Sequence, residues 1–303
     1  MKKKALFIIN PISGGKKKDD VPAQIEKYLD KSLFEHTILF TTGVAHARQV
    51  ATDAVGKYDI VVAVGGDGTV NEAASGLVGS DVTLGIIPCG SGNGLSRFLG
   101  IPMNIEESIK TLNKLQTEKI DSAEADGNPF FNIAGLGFDA HIGQVFAGGK
   151  KRGFLSYAKS SLAEIVKYRP HVYYLTIDGV SYTRKAFILS IANSSQYGNN
   201  AHISPKASVQ DELLDVCIVK PFPLYRFPEM VLRMFTKTAD SSKFVEIIKG
   251  KNIIVKRDEP GPMHLDGEPA KMQAQVNIKV KPATLNVIVG DTFKNQNLHG
   301  KEV

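Results

Sequence analysis

The stretch Tyr58-Asp59-Ile60-Val61-Val62-Ala63-Val64-Gly65-Gly66-Asp67-Gly68-Thr69-Val70-Asn71-Glu72 decides how this chain folds. Its first half is an apolar run of the length of one buried strand. Gly65, Gly66 and Gly68 then let the backbone turn sharply and come close to a ligand. Thr69, Asn71 and Glu72 open a helix, and the N–H groups at a helix start attract anions. The loop reads as a phosphate cradle, and Asp67 inside it points to a metal or a proton handled at the same place.

Working outward, strand and helix patterns alternate through the N-terminal part. Strands are expected at 4–9, 36–40, 58–64 and 83–87, and helices at 21–29, 45–55, 71–77 and 105–115. This order predicts an α/β domain with a mainly parallel sheet and helices on both faces. Right-handed crossovers run successive strands in one direction. The loops 10–16, 41–45, 65–71 and 88–94 therefore gather at the carboxyl edge, where open α/β sheets bind ligands.

Beyond residue 119 the texture changes to short β-rich segments at 129–134, 172–177, 185–192, 213–219, 252–256, 276–280 and 285–289. Turn residues such as Asp178-Gly179 and Pro282 separate them, and helices at 156–167 and 225–236 interrupt them. The expectation is a β-rich C-terminal domain built as an antiparallel sandwich or open barrel. The division expected is 1–122, with 290–303 returning to it, and 123–289.

Hydrophobic residues make up 43% and charged residues 22% of the 303 positions, the balance of a globular protein. No run approaches the roughly 20 apolar residues of a bilayer span. Met1-Lys2-Lys3-Lys4 is basic, but the apolar run at 5–9 is too short for a signal peptide. The expected location is the cytoplasm, and Cys89 and Cys217, with no metal-type neighbours, fit a reducing compartment. A net charge of +6 favours phosphate-rich ligands or an anionic membrane surface. Zinc-finger spacing and aromatic RNA-binding signatures are missing, so nucleic acid is not an expected partner.

Three further segments carry chemistry. Asn10-Pro11-Ile12-Ser13-Gly14-Gly15-Lys16 lacks Walker A spacing but offers backbone N–H groups, a hydroxyl and Lys16, Lys17 and Lys18. Pro88-Cys89-Gly90-Ser91-Gly92-Asn93-Gly94 is a second glycine-rich loop. His264-Leu265-Asp266-Gly267-Glu268-Pro269 sets two carboxylates across a glycine, as a proton acceptor for an attacking alcohol requires. Asp-Gly is equally a hairpin turn signal. His141, His171, His202 and His264 show no metal-ligand spacing, and a structural role is expected for His264.

Taken together, Asn10-Pro11-Ile12-Ser13-Gly14, Gly65-Gly66-Asp67-Gly68-Thr69-Val70-Asn71-Glu72, Gly90-Ser91-Gly92-Asn93 and Leu265-Asp266-Gly267-Glu268 resemble the diacylglycerol kinase and sphingosine kinase group of lipid kinases. The resemblance spans nearly the whole chain. It implies an ATP- and Mg²⁺-dependent kinase acting on the hydroxyl of a membrane lipid, with ATP between the two domains. By the family pattern Asn10, Pro11, Ser13, Gly14, Thr41, Gly65, Gly66, Asp67, Gly68, Thr69, Val70, Asn71, Glu72, Gly90, Ser91 and Asn93 line the nucleotide. Asp67 organises the magnesium, and Glu268, with Asp266 beside it, accepts the proton. The Asp211 side chain with the carbonyls of Ser208 and Leu213 matches a structural magnesium site.

Two positions depart from the pattern: Gly94 stands where many bacterial members carry Asp, and Glu212 where Gly usually follows Asp211. Gly94 tilts the substrate toward the sphingoid type. Lys150-Lys151-Arg152, Arg226, Arg233, Lys237 and the run Phe222-Pro223-Leu224-Tyr225-Arg226-Phe227-Pro228 suit peripheral contact with an anionic membrane. An exposed strand edge in the second domain would allow a homodimer. The glycine loop alone also suits a kinase of NAD or of a soluble polyol, and a non-catalytic nucleotide sensor stays open as well.

Overall fold

The computed structural model describes residues 1–15, 18–147 and 164–293. Two compact units divide the chain: Met1–Ser122 together with the chain from Pro282 onward, and Ala123–Lys281. The return thus falls at Pro282, earlier than the expected 290.

In the first unit β1 (Lys3–Ile9), β2 (Phe34–Phe40), β3 (Ile60–Gly65) and β4 (Thr83–Pro88) pair in parallel, in the order β2-β1-β3-β4. The strands alternate with α1 (Val21–Tyr28), α2 (His46–Ala54), α3 (Asp67–Leu77), α4 (Gly94–Phe98) and α5 (Ile105–Asn113). Side chains at successive strand positions point to opposite faces. Ala5, Phe7, Ile9, Val62 and Val64 accordingly share one core with Val21 and Ile25 of α1 and Ile109 and Leu112 of α5. Leu6, Ile8, Val61 and Ala63 are buried too, on the side taken by α2 and α3. A sheet buried on both faces explains the near-continuous apolar strands.

The register fixes the functional edge. Ile9 stands opposite Phe40 and Val64, and Gly65 opposite Pro88, so four strands end on one level. The parallel α/β expectation and the gathering of the four loops at the carboxyl edge both hold. The glycine-loop helix differs in its start: α3 begins at Asp67, with Gly66 as its extended N-cap, so Thr69 lies already within the helix. The short helix α4 was not expected from the pattern of residues 94–98.

The chain leaves this unit along β5 (Thr117–Ala125) and returns along the long β16 (Gln275–Ile288). Pro282 was expected to separate two strands; β16 instead runs through it. A proline cannot donate to the ladder, and Ala283 beside it takes a φ of +49°. The Ala283 N–H is received off the ladder by the buried Asp121 carboxylate at 2.7 Å.

The second unit is an antiparallel sandwich. After β6 (Asn128–Phe130) come β7 (Ile133–Gly137), α6 (Phe138–Ala147), β8 (His171–Ile177), β9 (Val180–Ala186), β10 (Ile188–Ala192), β11 (Leu214–Val219), α7 (Phe227–Phe235), β12 (Val245–Gly250), β13 (Asn252–Lys256), β14 (Gly261–Leu265) and β15 (Glu268–Met272). One sheet runs β12-β11-β10-β7-β14-β15. The facing layer pairs β9, β8, β13 and the first part of β16. Leu136, Leu189, Ile191, Val216 and Ile218 from the first meet Tyr173, Leu175, Ile177, Ile253, Val255 and Ile278 from the second in one core. The outer face of the six-stranded sheet is covered by Phe138 and Ile142 of α6 and Met230 of α7.

The expected strand 185–192 is two strands, because the chain passes from one layer to the other at Phe187. The expected strand 129–134 likewise divides into β6 and β7. Most of the expected helix 156–167, with Lys150, Lys151, Arg152, Lys16 and Lys17, lies outside the described residues.

Candidate active site

At the carboxyl edge of the first unit the backbones of three loops touch. Gly14 has a φ of +64°, and a Cβ there would fall on the carbonyl oxygen of Cys89. A Cβ on Gly90 would lie 2.6 Å from the Cα of Gly66. These contacts demand glycine at the ends of β1, β3 and β4, and they leave main-chain groups as the lining. The Asn10 amide donates to Thr69 Oγ1 at 3.0 Å and receives the Ile12 N–H at 3.1 Å, which ties the first loop to α3. Ser13 hydroxyl donates back to Asn10, and Pro11 is exposed beside it. The buried Lys18 does not face solvent as a phosphate ligand would; its ammonium donates to Ser13 O at 2.9 Å.

Asp67, in the first turn of α3, receives Asn93 N–H on Oδ2 and Gly94 N–H on Oδ1, each at 2.8 Å. Asn93, at a φ of +53°, bonds Gly90 in both directions: Gly90 N–H to Oδ1 at 3.0 Å, and Nδ2 to Gly90 O at 2.8 Å. Gly94 removes an acid but supplies one of the two amides that hold Asp67. Ser91 is exposed at the loop tip, Gly68 and Asn71 are half-buried in α3, and Thr69 and Val70 are buried. Glu72 acts locally. Its carboxylate receives Ala45 N–H at 2.9 Å and Ala47 N–H at 3.1 Å. Ala45 has a φ of +62° and no capping side chain of its own, so Glu72 caps α2 from the neighbouring helix. Thr41 follows β2 on the same edge, its N–H bonded to Ile9 O at 2.9 Å.

Three glycine backbones in contact, with the α3 N-terminus among them, fit a polyphosphate. Asp67 is one carboxylate, and among the described residues no group of three acids, histidines or cysteines could hold a metal. A lone carboxylate suits Mg²⁺ that arrives on phosphate and keeps most of its waters.

In the second unit Asp266 and Gly267 form the tip of the β14–β15 hairpin, with φ values of +52° and +87°. These are the positive angles of a two-residue type I′ turn. Asp266 and Glu268 therefore differ in kind. Asp266 is buried, and its carboxylate receives three backbone N–H groups: Phe131 at 2.9 Å, Asn132 at 2.8 Å and Ile133 at 3.1 Å. It anchors the hairpin to the start of β7. Glu268 opens β15 and is exposed.

A support that the sequence reading missed lies beneath this turn. His264 Nε2 is 3.2 Å from Asp139 Oδ2, and Gly267 N–H donates to His264 Nδ1 at 3.3 Å. That pattern places the His264 proton on Nε2. The Tyr197 hydroxyl also donates to Asp139, at 3.0 Å. Burial, and then the Asp139 charge, push the Tyr197 phenol well above its ordinary range, so it stays a donor. A Cβ on Gly135 would collide with both His264 and Asp139. The signal was present: Gly135-Leu136-Gly137-Phe138-Asp139 repeats the strand, glycine, helix-opening order of residues 58–72.

The structural magnesium was expected on the Asp211 side chain and the carbonyls of Ser208 and Leu213; the Asp211 carboxylate is already engaged on both oxygens. Asp211 Oδ2 already receives Lys249 Nζ at 2.9 Å, and Oδ1 receives Leu213 N–H at 3.2 Å. Ser208 Oγ accepts Gln210 N–H at 3.1 Å. Burial lowers the Lys249 pKa, but Asp215 and Asp211 outweigh it and hold the ammonium above the ordinary lysine value.

Comparison with known proteins fits this geometry. Residues 4–125 match the diacylglycerol kinase catalytic domain, and residues 132–289 match the YegS C-terminal NAD kinase beta sandwich-like domain. The chain belongs to this lipid kinase family. As a family member it is 27% identical over 272 residues to the diacylglycerol kinase of Bacillus subtilis (strain 168), covering 88% of this chain and 90% of that one. It is 29% identical over 233 residues to the "Probable lipid kinase YegS-like" of Chromohalobacter salexigens, covering 75% and 74%. Among solved structures, a diacylglycerol kinase from Bacillus anthracis str. Sterne shares the fold with a TM-score of 0.73 at 23% identity, over 96% of this chain and 98% of that one. An NAD kinase from Archaeoglobus fulgidus in complex with ATP shares it more distantly, with a TM-score of 0.53 at 16% identity over 96% and 95%. No helix among the described residues is long and apolar enough to cross a membrane.

Proposed function

We propose that this family member is an ATP- and Mg²⁺-dependent kinase of a membrane lipid hydroxyl, with diacylglycerol as the first substrate to test and a sphingoid base as the second. The observation that carries the reading is the contact of Gly14, Gly66 and Gly90 at the ends of three parallel strands, beside the start of α3. Main-chain N–H groups there bind the phosphates, and Asp67 holds the magnesium that accompanies them. Glu268, exposed on a hairpin anchored by Asp266, accepts the proton of the lipid hydroxyl. Asp266, with its oxygens engaged by three N–H groups, positions that hairpin. Fixed amides and a bound metal neutralise charge on the transferred phosphoryl group, and the base adds roughly 10²–10⁴-fold.

Access to the bilayer would come from α7 and the short turn before it. Phe222 and Phe227 pack inward, whereas Leu224, Tyr225, Leu232 and Phe235 are exposed. Arg226 and Arg233 flank them and share Glu229 at 2.8 and 3.0 Å. Such a face suits an interfacial contact with anionic lipid.

The deciding experiment incubates the protein with labelled ATP, Mg²⁺ and a panel of dispersed diacylglycerol, sphingosine and ceramide, with NAD and a soluble polyol alongside. Label is expected in one lipid, identified by mass. Label only in NAD or the polyol overturns the lipid reading, and ATP binding without turnover on any substrate overturns the kinase reading.

A further inference from the structure

The segment 208–215 looks like a metal loop and is built around a lysine. In the antiparallel pairing of β11 with β12, Asp215 stands directly opposite Lys249. The Lys249 ammonium lies 2.8 Å from Asp215 Oδ1 and 2.9 Å from Asp211 Oδ2. The remaining oxygens are committed elsewhere: Ser204 Oγ donates to Asp215 Oδ2, and Leu213 N–H to Asp211 Oδ1. The Asp215 side chain is 3% exposed, so its charge needs a partner inside the protein. The residue after Asp211 follows the same logic. Glu212 has a φ of +58°, the left-handed region where the family pattern has glycine, and it pairs with Lys251 at 2.9 Å. Lys249 and Lys251 thus answer the acids at 211, 212 and 215 from one strand, β12, and the turn that follows it.

A magnesium ion needs oxygen ligands at about 2.0–2.1 Å in octahedral array. The Lys249 ammonium already sits on the Asp211 carboxylate, the one charged ligand of the expected site, and a second cation alongside would be repelled. We propose that Lys249 is the resident cation of this segment, so that the fold of the second unit is independent of divalent metal. The inference does not depend on which substrate the kinase takes.

Thermal unfolding of the full chain tests it. Wild-type Tm is expected to be the same in EDTA, in millimolar Mg²⁺ and in millimolar Ca²⁺. Lys249→Ala leaves Asp211 and Asp215 facing an empty position and is expected to lower Tm by about 4–8 °C. Millimolar Mg²⁺ or Ca²⁺ should recover much of that loss in the variant alone, and Lys249→Arg should stay close to wild type. A wild-type Tm that drops in EDTA and returns with Mg²⁺ overturns the proposal without recourse to any variant. So does a Lys249→Ala protein as stable as wild type, or one that is destabilised and ignores both ions.

Discussion

The glycine-loop edge of the first unit and the Asp266-Gly267 hairpin of the second each place an aspartate against consecutive backbone N–H groups. Asp67 receives Asn93 and Gly94; Asp266 receives Phe131, Asn132 and Ile133. Their surroundings differ. Asp67 is half-buried on an edge lined by glycine backbone, with its carboxylate beside the proposed phosphate site. Asp266 is buried, and the exposed acid is its neighbour Glu268. In the proposed function one region would keep anchoring and ligand binding in a single residue, and the other would divide them between two. An acid in a motif is therefore not read as catalytic until its lone pairs have been accounted for.

Breaking the buried anchor should have the largest effect. Asp266→Ala strands three N–H groups, each costing about 1–3 kcal/mol if buried and unpaired. A loss of about 4 kcal/mol in urea unfolding is expected, and a loss below about 1 kcal/mol would show that the anchor is not needed. Gly14→Ala tests the first region, because it forces a Cβ into Cys89 O at a positive φ. About 2–3 kcal/mol of stability should go, along with nucleotide affinity measured by calorimetry; unchanged affinity would separate the Gly14 contact from phosphate binding.

A third kind of carboxylate sharpens the contrast. Glu246 is held by side-chain cations in place of backbone: Arg184 first, then Lys220, keep its pKa at about 2 against a burial effect that would raise it. A depressed carboxylate stabilises the fold above its unfolded value near 4.5, and that contribution is lost as the pH falls toward 2. Glu246→Gln should remove this part of the acid slope, by a modest amount because the pair is partly solvated; identical acid titrations of the two proteins would refute it. The smallest change in stability is expected for Glu268→Gln, within about 0.5 kcal/mol. Its turnover should nevertheless fall roughly 10²–10⁴-fold with ATP binding retained. Wild-type turnover would end its role as proton acceptor.

Much of the first unit could be read in the sequence because its signals are local. Apolar runs of strand length ended in glycine-rich loops, and parallel topology brought those loops to one edge. What escaped was set by distant partners. Nothing near residue 266 announces that its carboxylate meets amides more than 130 positions away. Glu72 looked like part of the nucleotide loop, yet its partners are the amides of α2. Pro282 looked like a strand end because the acceptor for the next residue's N–H, Asp121, lies far upstream. Phe187 gives no local mark of the crossing between two layers, since residues on either side are equally strand-like. The candidate site was legible as a set of motifs; the division of labour within each motif was not.

The two thiols carry a practical consequence. Cys217 is sealed in the second unit, and burial, with Asp215 adding to it, pushes its thiol well above the reactive range. Cys89 is half-buried at the foot of the second glycine loop, with its carbonyl against Gly14. Alkylation of the native protein therefore reports on a single position. The Cys89 side chain packs against the core of the first unit at the end of β4, so slow labelling there is expected to follow the opening of this edge.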